Sequence, residues 1–124
     1  MSTPAELTAR FIAAFNARDR AMLRALLAPE LEFIRPGGAV LTTAGAVLAQ
    51  YEADWAMMSS SRVEPQQVIV SGDDLLAEIT IHSVIDGQTV ALPGAIAHRW
   101  RGGRLVRYRL YTDRLSSVLG PRHA

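Results

Sequence analysis

Histidine and tyrosine are the side chains in this sequence best suited to moving or donating a proton, and they are few. The histidines are His82, His98 and His123; the tyrosines are Tyr51, Tyr108 and Tyr111. Imidazole titrates near neutral pH and can serve as general acid or base. A phenol hydroxyl can stabilise a developing oxyanion. No two histidines have the spacing of metal ligands, and cysteine is absent. Thiol chemistry, disulfides and cysteine-bound zinc are therefore excluded, and the expectation is a site with no metal and no cofactor.

Arginine is the other chemically capable residue. The chain has 13 arginines and no lysine, and seven of them fall between Arg99 and Arg122, where Asp113 is the only acid. A net charge of +1 is too small to argue for bulk nucleic-acid binding. Arginine in place of lysine, with much alanine, reflects GC-rich coding before it reflects function.

The elements that must position these groups follow from patterning. At 124 residues the chain fits one domain, 1–124. Its apolar runs are too short and interrupted to span a membrane, and Met1 to Glu6 lacks the basic segment of a signal peptide. The expected location is the cytoplasm. Thr3-Pro4-Ala5-Glu6 is a capping box with proline at the first helical position. Leu7, Phe11, Ala14 and Phe15 then share one helical face. Asp19 caps a second helix carrying Met22, Leu23, Leu26 and Leu27, and Pro29 is expected to end it. Leu31 to Arg35 reads as a strand and Pro36-Gly37-Gly38 as a turn. A third helix from Thr43 to about Met58 places Val47, Tyr51, Trp55 and Met58 on one stripe.

The remainder is β. Strands are expected over 63–71, 75–85, 88–101 and 104–113, with Asp86-Gly87 a hairpin signal. Helices first and a β-meander after indicate an α+β domain, three N-terminal helices packed on a curved antiparallel sheet. Period-2 alternation sorts the faces. Ile96, His98 and Trp100 face the helices, and so do Val106, Tyr108 and Leu110, while Leu105 and the arginines face out. Ile79 and Ile81 are inward, and His82 is outward. A two-residue Gly102-Gly103 hairpin without a bulge would set His98 against Arg107. A three-residue loop or a bulge pairs His98 with Tyr108, Arg99 with Arg107 and Ile96 with Leu110.

This order of elements resembles the nuclear transport factor 2-like superfamily, which includes the SnoaL-like polyketide cyclases, ketosteroid isomerase and limonene epoxide hydrolase. Residues 10–19 are similar to the family's first helix, residues 28–33 to its short first strand and residues 103–113 to its closing strand. The resemblance implies a cone-shaped fold around a pocket for a small apolar, ring-containing molecule. It implies ligand-binding positions at Phe11, Phe15, Phe33, Trp55, Ile79, Ile81, Ile96, Trp100 and Leu110, with Arg35 at the pocket mouth. The isomerase's acidic and phenolic positions fall on Phe11, Arg35 and Ile96, and the epoxide hydrolase's on Leu110 and residues 79–81. Those two sets of machinery are therefore absent. The cyclases' histidine falls on His98, and their aspartate falls near Thr112, beside Asp113.

Two readings follow. In the first, the pocket is enzymatic, with isomerase, cyclase or hydrolase chemistry. His98 moves the proton, and Tyr51 or Tyr108 stabilises the oxyanion. In the second, the chain is a non-catalytic ligand-binding or dimerisation module, and His98 is a buried neutral residue. Arg99, Arg101, Arg107 and Arg109 form an outer row that needs offsetting charge. The expected sources are Glu78 or a second subunit, since relatives dimerise through this sheet face. With only Tyr111 interleaving the row, nucleic acid is disfavoured as a partner.

Overall fold

The computed structural model describes residues 2–58 and 60–112. Asp113, Arg114 and His123 lie outside the described residues. Helix α1 (Pro4–Ala17) begins at the expected box: Thr3 Oγ1 accepts from the Glu6 amide, and the Glu6 side chain accepts from the Thr3 amide. It stops where Arg18 adopts a left-handed conformation, φ 53°. Asp19 caps α2 (Arg20–Leu26) by accepting from the Met22 amide. Pro29 does not end this helix. The chain turns extended at Leu27, and Pro29 lies inside strand β1 (Leu27–Ile34). The ladder to the neighbouring strand is irregular between Leu27 and Glu32, where proline has no N–H to contribute.

A short strand, β2 (Val40–Thr43), precedes α3 (Ala44–Met57), which Thr43 caps. Strands β3 (Ser61–Ser71), β4 (Asp74–Ile85), β5 (Gln88–Arg101) and β6 (Arg104–Thr112) form the meander. The six strands lie in the order β2-β1-β6-β5-β4-β3. The sheet is mixed rather than antiparallel throughout, because β1 runs parallel to β6. One helix, α3, and four strands lie between β1 and β6 in the chain; in the sheet β1 sits between β2 and β6 and carries Phe33 next to Tyr108.

The inner register is the expected one beyond the last turn. Ile96 pairs with Leu110, His98 with Tyr108 and Arg99 with Arg107. The device is a two-residue Gly102-Gly103 turn, both at positive φ, plus a shift that leaves Val106 unpaired. Leu105 is consequently fully buried opposite Trp100, not outward. Gly94 lies on the inner side of β5 facing Thr112. A Cβ there would sit 2.7 Å from the Tyr111 carbonyl oxygen, so the close approach of β5 to β6 requires glycine. All three helices and the inner face of the sheet share one apolar cluster. No helix among the described residues is long and apolar enough to cross a membrane.

Candidate ligand-binding site

Between the helices and the concave side of the sheet lies a cavity of about 450 Å³, within the range of small-molecule sites. Its walls come from alternate residues of the strands, which is why they are apolar: Ile79 and Ile81 on β4, Leu92 and Ile96 on β5, Leu110 on β6. Helix α1 adds Phe11 and Phe15, one turn apart, and β1 adds Phe33. The rings interlock. Phe33 stacks on Tyr108 at 4.0 Å, and Tyr51 meets Phe15 and Phe33 edge-on at 5.0 and 5.8 Å.

Of the expected site residues, Tyr51, Tyr108, Phe11, Phe15, Phe33, Arg35, Ile79, Ile81, Ile96 and Leu110 line this cavity. His98, Trp100 and Trp55 do not. His98 faces inward but lies one layer deeper, 5.3 Å from both the Phe11 and Tyr108 rings that wall it off. It is 2% exposed. Its Nδ1 is 3.0 Å from Thr8 Oγ1, and the same hydroxyl accepts from Trp100 Nε1 at 2.9 Å. His98 Nε2 has no partner among the described residues. Burial pulls its pKa down to about 3, so it is a neutral imidazole at ordinary pH. Trp55 packs against Tyr51 and Phe15 behind the wall, under the Arg18 guanidinium.

The polar groups that reach the cavity include Gln50, Tyr51 and Asp54 of α3, Arg35 at the end of β1, Tyr108 and Thr112 of β6, and Ser61, Ser83 and Asp86 around β3 and β4. Burial drives the Tyr51 hydroxyl well above its usual range, and Tyr108 and Asp54 add to the rise. Burial likewise pushes Tyr108 up, while Tyr51, placed as donor toward its oxygen, and the Arg35 charge draw it partly back. Both are therefore neutral donors across the physiological range. With Tyr51 donating toward Tyr108, the Tyr108 O–H is the one left to donate elsewhere. At the mouth Arg35 Nη2 lies 3.4 Å from Asp54 Oδ2, and Gln50 Nε2 donates to Asp54 Oδ1 at 3.0 Å. Gln50 and Asp54 both line the cavity, and the sequence reading missed both. Their spacing of four on one helix, bracketing Tyr51, was the available signal.

On the convex face two arginines of the row, Arg99 and Arg107, are offset within the chain, though not by Glu78. Arg99 Nε meets Asp74 at 2.7 Å, and Arg107 Nε meets Glu32 at 2.8 Å. His82 is paired with Glu64 there at 2.9 Å. Among the described residues no group of three histidine, cysteine, aspartate or glutamate side chains could hold a metal ion.

Solved structures share this architecture. Wild-type IdmH from Streptomyces antibioticus, a candidate polyketide cyclase, superposes with TM-score 0.85 at 19% identity, over 95% of this chain and 97% of its own. A Catenulispora acidiphila protein with a ketosteroid isomerase-like fold, solved in complex with trimethylamine, gives 0.84 at 26% identity, over 95% and 92%. A limonene epoxide hydrolase-like epoxide hydrolase from M. tuberculosis gives 0.79 at 17% identity, over 89% and 82%. No protein of curated function matches the sequence. The sequence pattern of the SnoaL-like domain matches residues 8–108, from the hydroxyl that holds His98 to the tyrosine beside it, and the chain belongs to that family, within the nuclear transport factor 2-like fold.

Proposed function

We propose that the chain binds a small apolar, ring-bearing molecule in the cavity between α1, α3 and the sheet. The observation that carries this reading is a space of about 450 Å³ with aromatic and aliphatic walls into which only a few polar groups converge. Tyr51 and Tyr108 present neutral hydroxyls to a carbonyl or phenolic oxygen of the ligand. In such a dry setting the Tyr108 donor, its oxygen supported by Tyr51, polarises a carbonyl and stabilises an oxyanion, which suits isomerase, cyclase or hydrolase chemistry as well as binding. His98 serves this reading as a positioning residue. Through Thr8 and Trp100 it backs the Phe11 and Tyr108 rings that form the cavity floor.

Thermal shift with polycyclic ketones, terpenoids and aromatic phenols tests the reading. At a hundredfold excess over Kd, binding to the native state alone raises stability by about 2.7 kcal/mol, or Tm by on the order of 10 °C. The shift should shrink in a folded Ile96→Trp variant that fills the cavity. A shift unchanged in that variant would place the ligand elsewhere, and the absence of any shift in wild type would favour a non-catalytic module with no such ligand.

We also propose a homodimer through the convex sheet face, where Ile69, Leu76 and Tyr111 are exposed on the same side as the paired arginines. Sedimentation velocity of wild type and Leu76→Glu tests it. A wild-type monomer at micromolar concentration would sink it.

A further inference from the structure

Among the described residues, Arg35 is the arginine that lines the cavity. Elsewhere Arg20, Arg99 and Arg107 each meet a carboxylate at under 3 Å, at 2.9, 2.7 and 2.8 Å, and Arg18 and Arg104 donate to backbone carbonyls at 3.3 Å. Arg35 has one side-chain contact among the described residues, the 3.4 Å approach of Nη2 to Asp54. A guanidinium carries five N–H donors in a planar fork. Most of those on Arg35 are thus unengaged, although its side chain is only 29% exposed and lines the cavity.

Its position is fixed from behind. The Arg35 amide donates to the Ala39 carbonyl at 2.8 Å, and its carbonyl accepts from the Gly38 amide at 2.9 Å. This pins the residue at the turn between β1 and β2. Asp54, by contrast, has a second partner of its own in Gln50, at 3.0 Å from the other carboxylate oxygen. Asp54 can therefore release Arg35 without being left bare at a mouth open to water. The field of Arg35 reaches both Tyr51 and Tyr108. The cation and the two phenols thus act on one region of a cavity whose remaining wall is mainly hydrocarbon, with Ser61, Ser83, Asp86 and Thr112 as its other polar lining beyond Gln50 and Asp54. An anionic group buried there away from a cation would be strongly disfavoured. Next to a planar guanidinium it is favoured, because charge-assisted and bidentate hydrogen bonds are the strong ones.

We infer that the ligand is an acid: an apolar ring system bearing one anionic oxygen group, which takes the open fork of Arg35 in place of Asp54 while the rings fill the cavity. Asp54 is then the built-in counter-ion that the ligand's anion displaces. This rests on the pocket reading above, and it narrows that reading to anionic ligands.

Two fluorescent probes with the same rings separate charge from shape: 1-anilinonaphthalene-8-sulfonate and its neutral analogue N-phenyl-1-naphthylamine. Both are titrated against wild type, Arg35→Met and Asp54→Asn, with circular dichroism confirming the fold of each. Arg35→Met should weaken the sulfonate about tenfold or more, the scale of one lost charge-assisted contact, and leave the neutral probe within about twofold. Asp54→Asn, which removes the competing anion, should tighten the sulfonate and leave the neutral probe unchanged. Parallel changes in both probes, or no change in either, would overturn the inference. If Arg35→Met does not fold, the Asp54→Asn result decides alone, and an unchanged or weaker sulfonate rejects it. A wild type that brightens only the neutral probe keeps the pocket and discards the acid. A wild type that brightens neither discards both.

Discussion

The two ends of the cavity place polar groups among aromatic rings in opposite ways. At the closed end, His98, Thr8 and Trp100 lie in a dry layer where one hydroxyl serves two ring nitrogens, and only His98 Nε2 is left over. At the mouth, Arg35, Asp54 and Gln50 are part-exposed, loosely joined, and carry more donors than acceptors. A buried polar group is costly when it loses its partner, whereas a group in contact with water is not. The closed end should therefore matter to stability and the mouth to ligand choice.

The largest effect expected from this contrast is at Thr8. Thr8→Val keeps the shape of the side chain but strands the Trp100 N–H and a His98 nitrogen together. Leaving buried groups unsatisfied costs about 1–3 kcal/mol each, so the variant should lose roughly 2–5 kcal/mol in urea denaturation. A loss below about 1 kcal/mol would mean the layer is wet, and the contrast with the mouth would collapse.

Next comes the pH dependence of the same layer. His98 has its folded pKa lowered from 6.5 to about 3, so the unfolded chain binds its proton first on acidification. Stability from this group is fully present above pH 6.5 and is lost as pH falls toward 3, with a slope of about 1.4 kcal/mol per pH unit. Glu6, Glu64 and Asp74 also have lowered values, held down chiefly by hydrogen bonds to Thr3, His82 and Arg99, and what they contribute is lost only below the ordinary carboxylate values of 4.5 and 3.8. The window from pH 6.5 to 4.5 therefore lies above the loss of those carboxylates, and the His98 variant reads that residue's own share of the slope. Stability measured across it should fall in wild type and stay flatter in His98→Gln. Equal slopes would show that another group carries the linkage.

What the sequence disclosed about these two ends differs in the same way. Alternation of the arginines in β5 and β6 with Ile96, His98, Tyr108 and Leu110 was enough to fix the inner face and its register, because a one-residue slip would bury charge. It could not fix depth. His98 and Ile96 share a face, yet one lines the cavity and the other lies behind Phe11 and Tyr108. Period-2 patterning says which way a side chain points and nothing about which layer it reaches. The bulge at Val106 hid the burial of Leu105 for a related reason: an extra residue reverses alternation locally. The start of β1 was masked by Pro29, which reads as a helix stop. Asp54 went unnoticed because an acid on an amphipathic helix looks like a solvent-facing residue until tertiary structure brings Arg35 to it from nineteen positions away.

Between the two ends stand the phenols, and they sharpen the contrast. Tyr51→Phe and Tyr108→Phe remove hydroxyls that face the cavity while leaving the stacked rings in place. Each should change stability by about 1 kcal/mol, the scale of one hydrogen bond, since the hydroxyl left behind still faces the cavity. Each should nonetheless weaken a carbonyl-bearing ligand several-fold by calorimetry. A stability loss as large as that of Thr8→Val would assign the phenols to the core instead of the site.

The smallest stability effect belongs to the mouth itself. Arg35 and Asp54 are joined at 3.4 Å with side chains 29% and 24% exposed, and part-exposed pairs of this kind contribute about 0–1 kcal/mol. Arg35→Met and Asp54→Asn should each shift the urea midpoint by an amount near the error of measurement, with an unchanged denaturant slope. The double variant should add little to either, because a pair that contributes nothing leaves nothing to couple. A stability near that of wild type, combined with altered ligand preference, is the signature of charges held for a ligand. A loss of 2 kcal/mol or more, in the range attributed to broken buried pairs, would instead make Arg35 and Asp54 a clasp between β1 and α3, and both ends of the cavity would then be structural.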